Sequence, residues 1–211
     1  MLKSGRFCGN LDNMWSKPKK LETCLTARMD FFGSLRDYTD FLKDMIDFCG
    51  NSVKTAVDFG CGVAIPTISL VDEGLIGYVD LLDKFWSNLR RNNSIIEDNY
   101  PHLEDKINFI QQDLYGDILQ YDYDLVLALT VARRSELSTE NLKVRNICNA
   151  VKPGGYLIMS IPLRTNGDVF TGYTKNIVFD SVVAVFDYYD IEWFKSCRND
   201  IEMWCLGQKA Y

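Results

Sequence analysis

Short apolar segments alternate with helical segments over most of this chain, and this alternation restricts its fold more than any other feature. The run Tyr123–Leu129 is almost entirely apolar, as is typical of a strand that is covered on both faces. Because strands that alternate with helices form parallel βαβ units, we expect a doubly wound sheet with helices on both faces. Strands are predicted over 55–59, 75–80, 107–113, 123–129 and 156–161, and helices over 67–74, 83–99 and 136–151.

The last part of the chain has a different pattern. A helix is predicted over 179–189, and two β-rich runs, 190–197 and 201–210, follow with only a short polar link between them. A link this short joins antiparallel strands, because parallel strands need a long crossover connection. The expected fold class is therefore α/β: a doubly wound, mostly parallel seven-stranded sheet with helices on both faces and an antiparallel C-terminal hairpin.

Residues 1–50 precede the first predicted strand and form an N-terminal helical extension in this interpretation, followed by one domain over 51–211. Apolar residues recur at intervals of three and four from about Leu25 to Phe48, which predicts an amphipathic helix. In an open α/β sheet the ligand binds at the carboxyl ends of the strands. We expect the extension to cap that edge, with Trp15 and Tyr38 near the ligand; a helix packed on the flank of the sheet is the alternative.

The charge balance bears on the partners of this protein. The 211-residue chain has a formal net charge of −6, which does not favour nucleic acid as a partner. Basic residues do cluster at 17–20, at Arg90-Arg91 and at Arg133-Arg134. We interpret these clusters as solvated surface, and a local RNA-facing patch is the alternative.

The cysteine pattern bears on metal binding and on location. Seven cysteines are scattered through the chain, none of them in a C-x-x-C pair, so neither a zinc site nor a disulfide framework is indicated. Free thiols in apolar contexts favour a reducing compartment, and we expect a cytoplasmic protein. The first thirteen residues lack the apolar core of a signal peptide. No apolar run is long enough to span a membrane, so no membrane partner is expected.

The heptapeptide DFGCGVA, residues 58–64, ends the first predicted strand with an acid and two glycines. Glycine lets the backbone turn tightly and approach a ligand closely, whereas a carboxylate in an apolar strand needs partners. The heptapeptide resembles the first motif of class I S-adenosylmethionine-dependent methyltransferases, D/E-x-G-x-G-x-G, with Ala64 in place of the last glycine. The resemblance implies that Asp58, Gly60, Cys61 and Gly62 belong to a binding site for S-adenosyl-L-methionine.

In this family a second motif has an acid at the end of the second strand that accepts hydrogen bonds from the ribose hydroxyls. Asp80 and Asp83 are both candidates. Members of the family have apolar residues about five, six and nine positions after that acid. Phe85, Trp86 and Leu89 satisfy this spacing from Asp80, which favours Asp80 and makes Asp83 the cap of the next helix.

Further motifs follow in the order that the family has them. Asp113 comes after the third strand, where the resemblance implies contact with the adenine amino group and help from the backbone of Leu114. Leu129 ends the fourth strand, where the family has the methyl group of the cofactor. The segment VKPGGYLIMS, residues 151–160, resembles the family's turn into the fifth strand. The resemblance covers about residues 54–209, some three quarters of the chain.

The resemblance implies an enzyme that transfers a methyl group from S-adenosyl-L-methionine to an O or N nucleophile of a small-molecule acceptor. No catalytic side chain can be assigned, because the only histidine, His102, is interpreted as a surface residue. Acceptor contacts are expected from 15–38, 130–135 and 162–174. An RNA or protein acceptor and a non-catalytic binding subunit are the alternatives. A nicotinamide-dependent reductase is disfavoured because the third glycine of the dinucleotide motif is missing.

Overall fold

The computed structural model describes residues 35–49, 53–116, 122–162, 164–165, 168–169, 172–198 and 202–211. Its main sheet has seven strands. They are β1 (Val53–Phe59), β2 (Ile76–Asp83), β3 (Ile107–Gln111), β4 (Tyr123–Leu129), β5 (Val151–Pro162), β8 (Ile191–Arg198) and β9 (Glu202–Lys209). Two short strands, β6 (Arg164–Thr165) and β7 (Asp168–Val169), pair only with each other.

The strand order of the main sheet is β3-β2-β1-β4-β5-β9-β8. The first five of these strands are parallel, and β9 pairs antiparallel with both β5 and β8. The predicted fold class is therefore confirmed, including the C-terminal hairpin. The chain leaves β1 toward β2 on one side and returns to β4 on the other, so the strand order reverses between β1 and β4.

Helices cover both faces of the sheet. They are α1 (Leu35–Phe48), α2 (Ile65–Asp72), α3 (Trp86–Asn99), α4 (Leu142–Asn149) and α5 (Gly172–Tyr188). Leu42 of α1, Ile68 of α2 and Leu89 of α3 are fully buried in one core cluster with residues of the sheet. Ile147 of α4 and Val182 of α5 belong to a second cluster on the opposite face. Alternate residues of each central strand enter the two clusters, which explains why these strands are apolar throughout.

Helix α1 packs on a face of the sheet. Tyr38 and Phe41 contact the ring of Trp204 on β9 edge-on, with centroid distances of 5.7 and 5.1 Å. This helix is therefore a structural layer, which corrects the expectation that Tyr38 faces a ligand. Trp15 and the rest of residues 1–34 lie outside the described residues, and the division of the chain at residue 50 stays a prediction.

Two local differences from the predicted elements have physical causes. The segment Lys152–Gly155 lies within β5, not in a turn before it, because a register shift opposite Tyr123 and Leu125 accommodates it. Strand β2 runs three residues beyond the predicted end at Asp80, because its pairing with β3 continues to Asp83 opposite Gln111. Within the described residues, no helix is both long and apolar enough to cross a membrane.

Candidate functional site

A cavity of about 580 Å³ opens at the carboxyl ends of the parallel strands, where the strand order reverses. This is the position where open α/β sheets bind ligands, and the volume lies in the range of small-molecule sites. The loops after β1, β2, β3 and β4 all contribute to its wall. The lining residues are Gly60, Cys61, Gly62, Val63, Leu82, Asp83, Lys84, Phe85, Asn88, Arg91, Gln112, Asp113, Leu114, Tyr115, Leu129, Thr130, Val131, Arg133, Glu136 and Lys143.

The loop between β1 and α2 needs its two glycines for different reasons. Gly60 has φ +62° and Gly62 has φ +54°, a region that side chains disfavour. A Cβ atom at Gly60 would also come within 2.9 Å of the Val131 side chain on the neighbouring loop. A Cβ atom at Gly62 would meet nothing within 4 Å, because this residue borders the cavity. Gly62 therefore leaves room for a ligand to approach the backbone.

Asp83 connects the glycine loop to the end of β2. One carboxylate oxygen, Oδ2, accepts hydrogen bonds from the Gly62 amide and from Asn88 Nδ2, both at 3.0 Å. The other, Oδ1, accepts one from the Phe85 amide at 2.8 Å. A carboxylate has about four lone-pair sites, so one site remains on Oδ1. Asp83 borders the cavity and is able to accept a hydroxyl from a ligand there.

Asp80, the acid that the sequence spacing favoured over Asp83, does not border the cavity. Its carboxylate is buried, and it accepts hydrogen bonds from Tyr123 Oη, from Asn108 Nδ2 at 2.8 Å and from Tyr78 Oη at 3.4 Å. These three donors enclose it between neighbouring strands. These contacts hold Asp80 within the sheet, and of the two acids only Asp83 borders the cavity.

The spacing that favoured Asp80 placed Phe85 and Trp86 on the same apolar side of the helix as Leu89. In the structure Phe85 is 57% exposed and Trp86 is 47% exposed, whereas Leu89, Asn92, Ile95 and Ile96 are buried. The helix therefore buries a face that begins one turn later than predicted. Exposed Phe85 borders the cavity instead, with Lys84 Nζ 4.9 Å from its ring centroid.

Sequence reasoning missed Asn92, which is fully buried on α3. Its side-chain Nδ2 donates to the Gly62 carbonyl at 2.9 Å and lies 3.6 Å from Cys61 Sγ, and its Oδ1 accepts from the Ala64 amide at 3.0 Å. One amide side chain thus fixes both sides of the glycine loop. The available signal was a polar residue on the apolar face of α3, three positions after Leu89.

Asp58 and Cys61 contribute to the loop in different ways. Asp58 is buried and does not border the cavity; its Oδ2 accepts a 2.7 Å hydrogen bond from Thr67 Oγ1 on α2. It fastens the helix to the strand, and its place in a cofactor site stays a prediction. Cys61 borders the cavity, and its amide donates to the Leu82 carbonyl at 3.0 Å. Burial, followed by the nearby charges of Asp58 and Asp83, raises the pKa of the Cys61 thiol, so it remains protonated.

Three further predicted residues also border the cavity. Asp113 is exposed and accepts a hydrogen bond from the Tyr115 amide at 3.0 Å. The next residue is Leu114, and its carbonyl accepts a hydrogen bond from Asn146 Nδ2 at 2.8 Å.

Leu129 is buried at the end of β4 and is followed by Thr130, which has φ +58°. A β-branched residue in that region is strained. The Thr130 amide donates to the Ser160 carbonyl at 3.1 Å and to its Oγ at 2.8 Å, which maintains the strained turn.

A polar cluster that the sequence did not reveal closes the β4 side of the cavity. Glu136 accepts hydrogen bonds from Tyr115 Oη, from the Arg133 amide at 2.7 Å and from Lys143 Nζ at 2.9 and 3.0 Å. Lys143 Nζ also donates to the Val131 carbonyl at 3.2 Å. Partial burial raises the pKa of Glu136, but these hydrogen bonds outweigh it and lower the pKa below its ordinary value. Glu136 is therefore an anchor for the loop and not a proton acceptor.

The only histidine lies away from the cavity, as the sequence predicted. His102 is exposed and contacts Asp72 Oδ1 at 2.6 Å through Nε2. No general base is evident among the described residues that border the cavity. In the segment 130–135, Thr130, Val131 and Arg133 border the cavity, and their contact with an acceptor stays a prediction.

Comparison with known proteins establishes the fold. No protein-family model matches this sequence, and no curated protein matches it. An S-adenosylmethionine-dependent methyltransferase from Clostridium acetobutylicum superposes with a TM-score of 0.68 at 12% identity, over 96% of this chain and 100% of that one. The N-methyltransferase NodS from Bradyrhizobium japonicum, in complex with S-adenosyl-L-homocysteine, superposes with a TM-score of 0.62 at 12% identity, over 87% and 91%.

The same fold also occurs in a protein that is named for a different activity. The cyclase SpnF superposes with a TM-score of 0.59 at 12% identity, over 81% of this chain and 80% of that one. The protein thus has the fold of class I S-adenosylmethionine-dependent methyltransferases, as the resemblance implied. Since one fold hosts several activities, the activity of this chain has to be argued from its site.

Proposed function

We propose that this protein is an S-adenosyl-L-methionine-dependent methyltransferase that acts on an O or N nucleophile of a small-molecule acceptor. The observation that carries the proposal is the hydrogen bond between the Gly62 amide and Asp83 at the cavity wall. It joins a glycine loop with open space beside it to a carboxylate with one remaining acceptor site. This arrangement suits a nucleoside whose ribose lies against the second strand.

The residues present fit the cofactor. Gly62 leaves space along the backbone, Asp83 is able to accept a ribose hydroxyl, and the exposed ring of Phe85 offers an apolar surface for a planar base. When bound, S-adenosyl-L-methionine would supply an activated methyl group on a sulfonium. The chain's own residues then have to orient the acceptor and exclude water, which the loop Leu129–Arg133 is positioned to do.

Binding of the cofactor product is the first test. S-adenosyl-L-homocysteine at one hundred times its Kd should stabilise the protein by about 2.7 kcal/mol. For a chain of this length that corresponds to a rise in Tm of about 5–10 °C. NAD at the same concentration serves as the control and should leave Tm unchanged. A shift with NAD and none with S-adenosyl-L-homocysteine would contradict the proposal.

The alternatives need a second measurement. Transfer of a radiolabelled methyl group to a pool of small molecules, to total RNA or to total protein separates the three acceptor classes. Transfer to RNA should weaken steeply as the salt concentration rises. A protein that binds S-adenosyl-L-homocysteine and transfers to none of the pools would instead fit the non-catalytic alternative.

A further inference from the structure

We propose that the acceptor carries an anionic group, a carboxylate or a phosphate, and that the Arg133 guanidinium binds it. This inference rests on the proposed function and concerns the acceptor side of the same cavity. The anionic group is a means of recognition and is separate from the nucleophile that receives the methyl group.

Arg133 lies on the loop that follows β4 at the wall of the cavity. It comes four residues after Leu129, the last residue of β4, and it borders the cavity together with Thr130 and Val131. Strand β4 lies beside β1 at the reversal of the strand order, so this loop lies next to the glycine loop at the cavity wall. Its side chain is exposed, so the guanidinium is accessible to a ligand in the cavity.

Hydrogen bonds hold the backbone of the loop that carries Arg133. Two hydrogen bonds from the Thr130 amide to Ser160 fix the start of the loop, and Lys143 fixes the Val131 carbonyl. Glu136 accepts the Arg133 amide itself at 2.7 Å. The loop is thus preorganised, which lowers the entropy lost on binding.

Arg133 is a cation at the β4 side of the cavity, and Lys84 and Arg91 border the same cavity from the loop after β2 and from α3. The charges of Glu136 and Lys143 are satisfied by each other, whereas the Arg133 guanidinium makes no ion pair or hydrogen bond with the residues that the structure describes. Asp83 is largely occupied by its three donors. Asp113 accepts the Tyr115 amide at 3.0 Å and makes no ion pair with the residues that the structure describes.

A guanidinium without a partner on a fixed loop is suited to bind an oxyanion. Its planar fork donates two parallel hydrogen bonds to a carboxylate or a phosphate. An acceptor with an anionic group would gain these two hydrogen bonds, whereas a neutral acceptor would leave the exposed guanidinium to water. The position of Arg133 therefore favours an acceptor with an anionic group.

The test uses the full-length protein saturated with S-adenosyl-L-homocysteine, and it measures the binding of benzoate, phenyl phosphate and neutral benzamide by calorimetry. We expect at least one of the two anions to bind about ten-fold more tightly than benzamide, and the comparison of the two identifies the preferred oxyanion. Arg133→Gln should abolish this preference and leave the Kd of S-adenosyl-L-homocysteine unchanged. Arg133→Lys, which retains the charge but loses the fork, should give an intermediate preference.

Arg90→Gln is the matched control, because Arg90 lies on α3, is exposed and does not border the cavity. It should bind the anions as the wild type does. Anions that bind no better than benzamide, or not at all, would overturn the inference, as would an equal loss in the Arg90 and Arg133 variants. Failure of S-adenosyl-L-homocysteine to bind the wild type would instead reject the proposed function, so the two failures are distinguishable.

Discussion

Exchanging Asp83 for asparagine tests the assignment of the ribose site, and Asp80→Asn is its matched control. Both acids lie on β2 and both are nearly buried, at 5% and 7% exposure. Only Asp83 borders the cavity, whereas Asp80 is enclosed by donors from Tyr78, Asn108 and Tyr123. Each variant therefore removes one negative charge from β2, but only Asp83→Asn removes it from the surface of the cavity.

The size of the effect follows from the hydrogen bonds of Asp83. With three donors already bound, the carboxylate has one site left, so it accepts one ribose hydroxyl without rearrangement. A hydrogen bond to a charged acceptor contributes about 1.5–3 kcal/mol. Asp83→Asn should therefore weaken the binding of S-adenosyl-L-homocysteine by about ten- to a hundred-fold. Asp80→Asn should change the Kd by no more than about three-fold.

Both variants should lose stability, because asparagine puts an amide donor where each carboxylate now accepts. We expect a loss of about 1–3 kcal/mol in each, measured by urea unfolding. Calorimetric titration with S-adenosyl-L-homocysteine then gives the Kd of each folded variant. If Asp80→Asn weakens binding and Asp83→Asn does not, the ribose contact belongs to Asp80 and the reasoning from cavity geometry is wrong.

Asn88 refines the same experiment. Its Nδ2 occupies a site on Asp83 Oδ2 that a second ribose hydroxyl would need. Asn88→Ala should free this site and keep the affinity for S-adenosyl-L-homocysteine within about three-fold of the wild type, or increase it. A large loss of affinity would mean that Asn88 itself contacts the ligand.

Three further predictions concern the loops around the cavity. Gly60→Ala should destabilise the fold more than Gly62→Ala in urea unfolding, because only the Cβ atom at Gly60 meets Val131. Gly62→Ala should instead weaken the binding of S-adenosyl-L-homocysteine in calorimetry. Equal stabilities of the two variants would contradict the contact between residue 60 and Val131. Asn92→Ala should lower the free energy of unfolding by about 2–4 kcal/mol in urea, since it leaves the Gly62 carbonyl and the Ala64 amide without their partner. A loss below about 1 kcal/mol would mean that Asn92 does not hold the glycine loop. The folded-state pKa of Glu136 is lowered, so the stability it contributes is present above its unfolded pKa of about 4.3 and is lost as the pH falls through its folded pKa. The stability difference between wild type and Glu136→Gln should therefore be largest near neutral pH and shrink below about pH 4, and a difference independent of pH would refute this role.

Much of the fold is determined by local features of the sequence. Apolar runs such as Tyr123–Leu129 and the helical spacing between the strands predicted the parallel sheet, because side-chain periodicity and chain connectivity act over short distances. The short link between β8 and β9 predicted the antiparallel hairpin for the same reason. The glycine loop was also predictable, since its two left-handed residues depend on the absence of a side chain.

The tertiary structure decided which polar side chains meet. Asp80 and Asp83 are three residues apart on one strand, and only the extent of the pairing with β3 and the neighbours across the sheet put one in the core and the other at the cavity. Asn92 reaches Gly62 across 30 positions of sequence, and Tyr115 reaches Glu136 across 21. Such contacts depend on how separate elements pack, and a local pattern of residues carries no record of that packing.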